Sequence, residues 1–390
     1  ANIAWLLSLL SASIVYVKIR REVIIVKQIS LLIKPASSLC NMRCAYCFYE
    51  DVSANRECAS MGIMDRQTTR ALIDRTMCLD VEQINYCFQG GEPTVAGIDY
   101  FKDFIDYVDR VNTGKKITYA IQTNATLLDD AWIELFSKHD FLVGVSLDGF
   151  LENHNRLRKD AAGKGTFKII MSHIKKMKKA GIHFNILTVL SHQLSKKPEQ
   201  LFEFYQKNDL NYIQLIPCLP TLEGNARMDQ YALTPHDFAD FYCTFFDLWY
   251  QAYMKGHYMS VTLFDNLIPM YLNVLPSQCG MLGQCHMQLV VEANGNVYPC
   301  DFYVLDDYCC GNINTDSLQE IMKHEAAKRF LKEKRVLCKA CDDCPFYHMC
   351  YGNCRRLSVC YYDAHYCGYK TFLTYSQEKM RRIAQMLTVK

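Results

Sequence analysis

The sequence lacks a dominant charge of either sign, a repeat of fixed period and any low-complexity tract. Its 43 lysine and arginine residues nearly balance its 41 aspartate and glutamate residues, so the formal net charge is +2. This balance leaves no basic face large enough to predict DNA or RNA as a partner. Hydrophobic residues make up 50% of the chain, which is typical of globular proteins, and the length of 390 residues predicts two or three domains.

The chain also lacks an apolar run long enough to cross a bilayer. Residues 3–17 are apolar, but a spanning helix needs about 20 such residues. No basic segment precedes this run and no clear cleavage site follows it, so it does not match an export signal. We expect residues 1–29 to form an apolar and basic extension outside the catalytic fold, with a membrane anchor as the alternative. We expect the protein to be cytoplasmic.

Cysteine, by contrast, is abundant, with 20 residues in a chain that shows no convincing export signal. In a reducing cytoplasm, closely spaced thiols hold metal more often than they form disulfides. The spacing of the cysteines therefore indicates which metal centres to expect.

Short β-rich runs alternate with helical patterns through the first part of the chain. The strand patterns cover residues 31–34, 83–89, 117–123, 142–147, 184–190 and 212–217. The helical patterns cover residues 65–79, 99–111, 129–138, 166–180 and 198–208. Asp65 and Asp129 are the expected N-caps of two of these helices. Strands separated by helices form parallel βαβ units, so the sequence predicts an α/β fold.

Six such strands predict a partial (β/α)6 barrel over residues 30–270, with catalytic groups at the C-terminal strand ends. A longer helix is predicted over residues 235–255, with a core face formed by Phe238, Phe241, Phe245 and Leu248. Beyond about residue 271 the alternation stops and cysteines dominate. We expect residues 271–390 to be a second domain that folds around metal.

Three cysteines, Cys40, Cys44 and Cys47, follow the first predicted strand with the spacing Cys-x3-Cys-x2-Cys. Thiolates are soft ligands that suit iron–sulfur clusters. Three ligands on four irons leave one iron open to another ligand, as in a catalytic metal site. The alternatives are a zinc knuckle without its fourth ligand, or cysteines buried for packing.

This motif, with Tyr46 before its third cysteine, resembles that of the radical S-adenosylmethionine superfamily. The resemblance implies that the open iron binds S-adenosylmethionine, whose cleavage releases a 5′-deoxyadenosyl radical. Residues 88–94, FQGGEPT, are similar to the family's glycine-rich element, in which glycine permits close backbone approach to a ligand. By this resemblance the cofactor-binding residues are Tyr49, Gly91, Glu92, Ser146, Arg158 and Leu219. For Arg158 the alternative is a solvated surface charge. Asn124 and Asp148 directly follow predicted strands, and the alternative for both is a turn residue.

The cysteine-rich C-terminal part is similar to the SPASM extension, a module of radical enzymes that act on peptides and proteins. Carried over by position, one auxiliary 4Fe-4S cluster is held by Cys279, Cys285, Cys300 and Cys354. The other is held by Cys341, Cys344, Cys350 and Cys367. With the first motif, the resemblance implies three 4Fe-4S clusters. Two structural zinc ions are the alternative, because zinc also accepts four thiolates. Cys338 lies three residues before Cys341, so a different choice of cluster ligands in this segment stays open.

Longer blocks of the chain resemble the anaerobic sulfatase-maturating enzymes, which carry a SPASM domain. These blocks are residues 30–38, 47–49, 88–94 and 298–305. The resemblance implies oxidation of a cysteine or serine of a sulfatase to Cα-formylglycine. It also implies an unfolded sulfatase segment, Cys/Ser-x-Pro/Ala-x-Arg, as the protein partner and a flavodoxin or ferredoxin as the electron donor.

That oxidation removes a hydrogen atom from Cβ, a proton and a second electron. Asp301, adjacent to Cys300, resembles the family's catalytic base, with a turn carboxylate as the alternative. Tyr49 and Gln89 resemble substrate-contacting positions, with a core tyrosine as the alternative for Tyr49. Two other functions remain: a maturase that crosslinks or epimerises a small precursor peptide, and a non-catalytic electron carrier. The cysteine triad argues against the carrier, which gains nothing from an open iron.

Overall fold

The computed structural model describes residues 28–388 in full and the backbone of residues 15–19 and 22–26. The strands are β1 (Val15–Ile19), β2 (Glu22–Val26), β3 (Gln28–Ile33), β4 (Met42–Cys44), β5 (Gln83–Phe88), β6 (Lys116–Thr123), β7 (Leu142–Ser146), β8 (Arg158–Asp160), β9 (Phe184–Leu190), β10 (Tyr212–Pro217), β11 (Ser260–Val261), β12 (Val290–Val291) and β13 (Val297–Tyr298).

The helices are α1 (Phe48–Ala54), α2 (Arg66–Met77), α3 (Ile98–Val111), α4 (Asp130–Lys138), α5 (Leu151–Leu157), α6 (Phe167–Lys179), α7 (His192–Ser195), α8 (Pro198–Lys207), α9 (Ala226–Asp229), α10 (Pro235–Met254), α11 (Thr262–Met270), α12 (Leu318–Lys323), α13 (Glu325–Lys332), α14 (Tyr347–Cys350) and α15 (Gly368–Thr388).

One large sheet organises the described residues, with the strand order β11-β10-β9-β7-β6-β5-β3-β12-β13. Neighbouring strands are parallel from β11 to β12, and β13 ends the row antiparallel to β12. The six predicted strands form the centre of this sheet, from β10 to β3, which confirms the α/β partial barrel. The structure adds β11, β12 and β13, which have two residues each and are too short to show a periodic pattern in the sequence.

Two predicted caps fix where their helices begin. The Oδ1 atom of Asp65 accepts a hydrogen bond from the backbone N–H of Thr68 at 2.7 Å. The Oδ1 atom of Asp129 accepts one from the backbone N–H of Trp132 at 3.1 Å. These bonds satisfy amides that the first turn of a helix leaves without partners, so both helices start at the predicted positions.

The helices α10 and α15 pack against each other through aromatic side chains. The face of α10 that was predicted to be core is buried or half-buried at Phe238, Phe241, Phe245 and Leu248. Phe372 of α15 contacts this face with its ring edge toward Phe238. A Cβ atom on Gly368 would overlap the carbonyl oxygen of Pro235, so glycine permits α15 to begin this close to α10.

The cysteine-rich part of the chain completes the barrel sheet. Strand β12 pairs in parallel with β3, with Val291 opposite Ile33. Beside this pairing, Nη1 of Arg56 lies 2.8 Å from Oε1 of Glu292, and neither side chain is more than 2% exposed. Such an ion pair ties two segments together, because either charge would be strongly destabilising if left alone. The expected division between residues 270 and 271 stays a prediction.

The N-terminal extension is described only in part. Most of the apolar run at residues 3–17 lies outside the described residues. Its last residues belong to β1, which pairs antiparallel with β2. In the part of the chain that the structure describes, the helices are too short or too polar for a membrane span.

Candidate active site

The thiols of Cys40, Cys44 and Cys47 lie in the loop that follows β3, at the C-terminal ends of the barrel strands. Cys44 ends β4 and Cys47 precedes the first turn of α1. The backbone N–H of Met42 donates to Sγ of Cys40 at 3.4 Å. Burial raises the pKa of Cys40 to about 11 and that of Cys47 to about 12, and the neighbouring thiols add to both shifts. Thiolates here therefore need a compensating cation, which is what iron supplies.

The glycine-rich segment packs directly against the chain that leads into the cysteine loop. The backbone N–H of Gly91 donates to the carbonyl of Ser37 at 2.9 Å, and that of Glu92 donates to the carbonyl of Leu39 at 2.8 Å. A Cβ atom on Gly91 would overlap the carbonyl oxygen of Leu39. Glycine is thus required for the approach of the two sequence motifs.

The carboxylate of Glu92 is buried and already bonded to donors of the chain itself. Its Oε1 accepts from the hydroxyls of Thr94 at 2.6 Å and Thr123 at 2.7 Å, and its Oε2 accepts from the backbone N–H of Asn124 at 2.6 Å. Burial raises the pKa of Glu92, and these hydrogen bonds oppose that rise. Nδ2 of Asn124 also lies 3.9 Å from Sγ of Cys40. Glu92 thus holds the strand ends β5 and β6 beside the cysteine loop.

Arg158 is buried beside the cysteine loop, because β8 pairs with β4 and sets Arg158 opposite Cys44. Its Nη1 donates to the hydroxyl of Tyr46 at 3.1 Å, and that hydroxyl donates to Asp148. The Nε atom of Arg158 is buried and has no hydrogen-bond partner among the described residues. A buried N–H without a partner fits an oxygen of a bound ligand, which agrees with the expected contact to the cofactor's carboxylate or ribose.

The remaining predicted cofactor positions lie at other strand ends of the barrel. Ser146 ends β7 and is half-buried, and Leu219 follows β10 and is half-buried against the core. Tyr49 differs from them, because it lies in α1 and contacts a second cluster of polar side chains. The aromatic side chain in contact with Arg158 is instead Tyr46.

This second cluster surrounds Asp301, which is buried in the short turn directly after Cys300. The hydroxyl of Tyr49 donates to Oδ2 of Asp301 at 2.8 Å, and Nε2 of Gln89 donates to the same oxygen at 3.2 Å. Gln89 also donates to the hydroxyl of Tyr49. Nζ of Lys34, at the end of β3, lies 2.9 Å from Oδ1 of Asp301. The structure therefore joins three predicted residues and adds Lys34.

The two oxygens of Asp301 have different surroundings. Oδ2 accepts two hydrogen bonds, whereas Oδ1 faces the Lys34 charge and accepts no hydrogen bond from the described residues. Burial, and next the charge of Asp301, raise the pKa of Tyr49, so its hydroxyl stays protonated and remains a donor. Oδ1 is therefore the oxygen with acceptor capacity left for a proton.

The C-terminal cysteines fall into two groups. In the first, the thiols of Cys279 and Cys300 interact electrostatically with Cys354, and Cys354 with Cys285. A Cβ atom on Gly280 would lie 3.0 Å from Cβ of Cys354, so the loop that carries Cys279 packs directly on Cys354. These are the four cysteines expected to hold the first auxiliary cluster.

The second group lines one cavity, to which four cysteines contribute: Cys341, Cys344, Cys350 and Cys367. These are the four expected to hold the second auxiliary cluster. Sγ of Cys338 lies 3.5 Å from Sγ of Cys341 at the edge of this group. No set of three or more His, Cys, Asp or Glu side chains within the described residues stands at the spacing of a single bound metal ion. The donor chemistry, soft thiolates in compact groups, fits iron–sulfur clusters.

Comparison with known proteins agrees with this architecture. Residues 35–205 match the radical SAM superfamily, and residues 279–345 match the SPASM iron–sulfur cluster-binding domain. The fold and the site together define a radical S-adenosylmethionine enzyme with an iron–sulfur extension.

The relatives identify the family within this class. The cysteine-type anaerobic sulfatase-maturating enzyme of Clostridium novyi is 39% identical over 85% of this chain and 88% of its own length. That of Clostridium perfringens is 36% identical over 91% and 98%, and the serine-type enzyme of Bacteroides thetaiotaomicron is 29% identical over 85% and 83%. The chain belongs to the anaerobic sulfatase-maturating enzymes, oxidoreductases that use S-adenosylmethionine and 4Fe-4S clusters.

Solved structures agree with this membership. Native anSMEcpe with bound AdoMet has a TM-score of 0.85 and 35% identity, and the match covers 92% of this chain and 99% of that one. The same enzyme with bound AdoMet and the Cp18Cys peptide also has a TM-score of 0.85. SuiB from Streptococcus suis, solved with its precursor peptide SuiA, has a TM-score of 0.60 at 16% identity and shares the fold alone.

Lys34 is the residue of the site that the sequence analysis missed. It lies in a block that already resembled the family, and it directly follows the apolar end of β3, where a buried charged side chain is unusual. The position of Lys34 in the sequence was the signal that could have identified it. Its contact with Asp301 could not be predicted, because the two residues are distant in sequence.

Proposed function

We propose that this chain oxidises the target cysteine of a sulfatase to Cα-formylglycine, acting on an unfolded segment of the form Cys-x-Pro-x-Arg. The relatives named as cysteine-type are 39% and 36% identical to this chain, and those named as serine-type are 29% and 25% identical. This difference supports cysteine as the preferred target, with serine in the broader motif Cys/Ser-x-Pro/Ala-x-Arg as the alternative. The main supporting observation is that Asp301, adjacent to the predicted cluster ligand Cys300, contacts the side chains of Lys34, Tyr49 and Gln89.

The reaction sets three tasks, because a Cys CH2–SH group must lose a hydrogen atom, a proton and an electron before water replaces its sulfur. When bound, S-adenosylmethionine and the three clusters supply the radical that removes the hydrogen atom and the acceptor of the electron. Asp301 takes the proton. Its position directly after Cys300 supports this role, since proton and electron then leave the substrate toward the same side.

The ion pair with Lys34 supports this role, since a nearby opposite charge offsets the free-energy cost of burying the carboxylate of Asp301. Tyr49 and Gln89 donate to Oδ2, which leaves Oδ1, beside Lys34, as the oxygen that takes the proton. We assign Tyr49 and Gln89 as substrate-contacting residues, because both contact the proposed base Asp301. A general base of this kind contributes a factor of about 10²–10⁴ to the rate.

The cofactor end of the site is assigned to the residues around the cysteine loop. Cys40, Cys44 and Cys47 hold the first cluster, and Gly91 and Glu92 flank the methionyl group. Nε of Arg158, which has no partner among the described residues, supports a contact with a cofactor oxygen. By the family resemblance, Ser146 contacts the cofactor's carboxylate or ribose, and Leu219 contacts its adenine. The contact of Tyr46 with Arg158 favours Tyr46 over Tyr49 in this half of the site.

We also propose that a flavodoxin or ferredoxin supplies the electrons and that the enzyme works in the cytoplasm. A reducing compartment supports both, since it keeps cluster ligands as thiols before the clusters assemble.

The test is an anaerobic assay on two peptides that differ only in carrying Cys or Ser at the target position. Formylglycine is read by mass, and 5′-deoxyadenosine is measured in parallel. Asp301→Asn is expected to lower formylglycine formation by about 10²–10⁴ while cofactor cleavage persists. Asp307→Asn, an exposed carboxylate in the same segment, is the matched control. An unchanged peptide mass with the parent enzyme, despite cofactor cleavage, would reject the substrate; full activity of Asp301→Asn would reject the base.

A further inference from the structure

Five cysteine thiols, rather than four, gather at the second auxiliary position in the described part of the chain. The fifth is Cys338, which is 6% exposed and has its Sγ 3.5 Å from Sγ of Cys341. Its charge also acts on Cys367, which lines the cavity of the second group. A 4Fe-4S cubane whose four irons are all bound by the protein takes four thiolates, so one of these five thiols is in excess.

Local backbone structure explains why Cys338 lies so close. The backbone N–H of Cys341 donates to the carbonyl of Cys338 at 3.0 Å, and that of Cys344 donates to the carbonyl of Cys341 at 3.3 Å. Two successive turns therefore carry a cysteine at each end, in the pattern Cys338-x2-Cys341-x2-Cys344. The same Cys-x2-Cys-x2-Cys spacing occurs in bacterial ferredoxins, where one loop supplies three thiolates to a cubane.

The distance between the two sulfurs is that of two ligands on one metal. Two thiolates bound to one tetrahedral metal at about 2.3 Å each lie about 3.8 Å apart. The observed 3.5 Å between Sγ of Cys338 and Sγ of Cys341 is close to this value. A metal held by Cys341 is therefore within bonding reach of Cys338 after a small side-chain rotation.

We propose that Cys338 and Cys341 are interchangeable ligands of the same iron in the second auxiliary cluster. In the exchange, one iron–sulfur bond breaks and another forms. The incoming thiol loses its proton and the outgoing thiolate gains one, so no electron is transferred. Loss of either cysteine then leaves the cluster with a complete set of ligands. The proposal depends on the cluster assignment and is independent of the identity of the peptide substrate.

Iron and sulfide content of the anaerobically reconstituted full-length protein tests the exchange. The parent protein is expected to hold roughly twelve of each per chain, from three four-iron clusters. Cys338→Ala and Cys341→Ala are each expected to keep roughly twelve, and the double variant is expected to fall to roughly eight. Cys344→Ala is the matched control, because no spare thiol among the described residues is hydrogen-bonded to Cys344, and this variant is also expected to hold roughly eight.

A second measurement is the electron paramagnetic resonance spectrum of the reduced clusters. It distinguishes exchange of the ligand from retention of the cluster without a replacement ligand. Cys341 lines the cavity and Cys338 lies at its edge, so Cys341 is the ligand in the parent protein and Cys338 replaces it when it is lost. The signal of one cluster is therefore expected to shift in Cys341→Ala and to keep its parent form in Cys338→Ala. Three outcomes overturn the proposal. They are loss of a cluster in either single variant, retention of all clusters in the double variant, and an unshifted spectrum in Cys341→Ala. An iron content of roughly eight in Cys344→Ala would also show that loss of this cluster leaves the other two cluster sites intact.

Discussion

Lys34 and Asp301 form a buried ion pair between the first barrel strand and the turn that follows Cys300. Nζ of Lys34 lies 2.9 Å from Oδ1 of Asp301, and the two side chains are 3% and 12% exposed. The Lys34 ammonium also lies 4.7 Å from the centroid of the Tyr49 ring. Because β12 pairs with β3, the turn that carries Asp301 is held against the strand that carries Lys34. The proposed base is therefore positioned by the barrel itself.

Replacement of Lys34 tests whether this charge maintains the base. Lys34→Met leaves the carboxylate buried without its partner, which is expected to lower the free energy of unfolding by about 3–5 kcal/mol. Formylglycine formation is expected to fall as in Asp301→Asn, and Lys34→Arg is expected to restore part of it because the charge returns.

Anaerobic urea unfolding and single-turnover peptide oxidation measure the two effects. Lys164→Met, at an exposed lysine, is the control and is expected to change neither. Parent-like turnover in Lys34→Met would remove Lys34 from the mechanism.

Nε of Arg158 has no hydrogen-bond partner in the part of the chain that the structure describes, which leads to a prediction about cofactor affinity. Arg158→Lys keeps the charge but cannot reproduce the guanidinium, so binding of S-adenosylmethionine is expected to weaken by about 1.5–3 kcal/mol, or about 10–150-fold. Equilibrium binding to the reconstituted enzyme measures this. Arg156→Lys, at an exposed arginine two residues away in the chain, is the control. Equal affinities of the parent and Arg158→Lys would contradict the assignment.

The Arg56–Glu292 pair predicts how firmly the cysteine-rich part is held to the barrel. Glu292→Gln leaves a buried guanidinium without its counter-charge and is expected to lower the free energy of unfolding by about 3–5 kcal/mol. Glu203→Gln breaks the exposed pair with Lys207 and is expected to change it by less than about 0.5 kcal/mol. Anaerobic urea unfolding compares the two. Similar changes in the free energy of unfolding for both variants would show that burial does not strengthen the Arg56–Glu292 pair.

His154 predicts a dependence of stability on pH. Its Nδ1 accepts the backbone N–H of Asp148 at 3.2 Å and its Nε2 contacts Oγ1 of Thr166 at 3.0 Å. Burial, with a smaller effect of Arg158, lowers its pKa to about 3 from the usual 6.5 of histidine. The unfolded chain therefore binds a proton below about 6.5 that the folded chain does not bind. Stability is complete above that pH and falls by about 1.4 kcal/mol per unit below it.

His154→Gln is expected to remove this part of the slope between pH 5.5 and 7.5, measured by urea unfolding. The comparison is made against the parent at each pH, because Asp265 acts in the opposite direction. Burial raises its pKa to about 7, so its contribution to stability decreases as the pH rises toward 7. An unchanged slope in His154→Gln would show that His154 is protonated in the folded enzyme.

Much of the fold was predictable because its signals are local. The six barrel strands, the caps at Asp65 and Asp129 and the core face of α10 each depend on residues a few positions apart. Strands β12 and β13 were not predictable, because two residues of β structure carry no periodicity. Their pairing with β3 depends on a partner far away in the chain.

The sequence by itself determined the local groups: the cysteine triad after the first strand, the glycine-rich segment, and the closely spaced C-terminal cysteines. Residues three to six positions apart must share one loop, so their spacing already implies proximity. Only the tertiary structure decided that Lys34 joins Tyr49 and Gln89 around Asp301, with its Nζ 2.9 Å from Oδ1 of Asp301. The ends of parallel strands converge at one edge of a barrel whatever their separation in the chain, and burial there gives those contacts their strength.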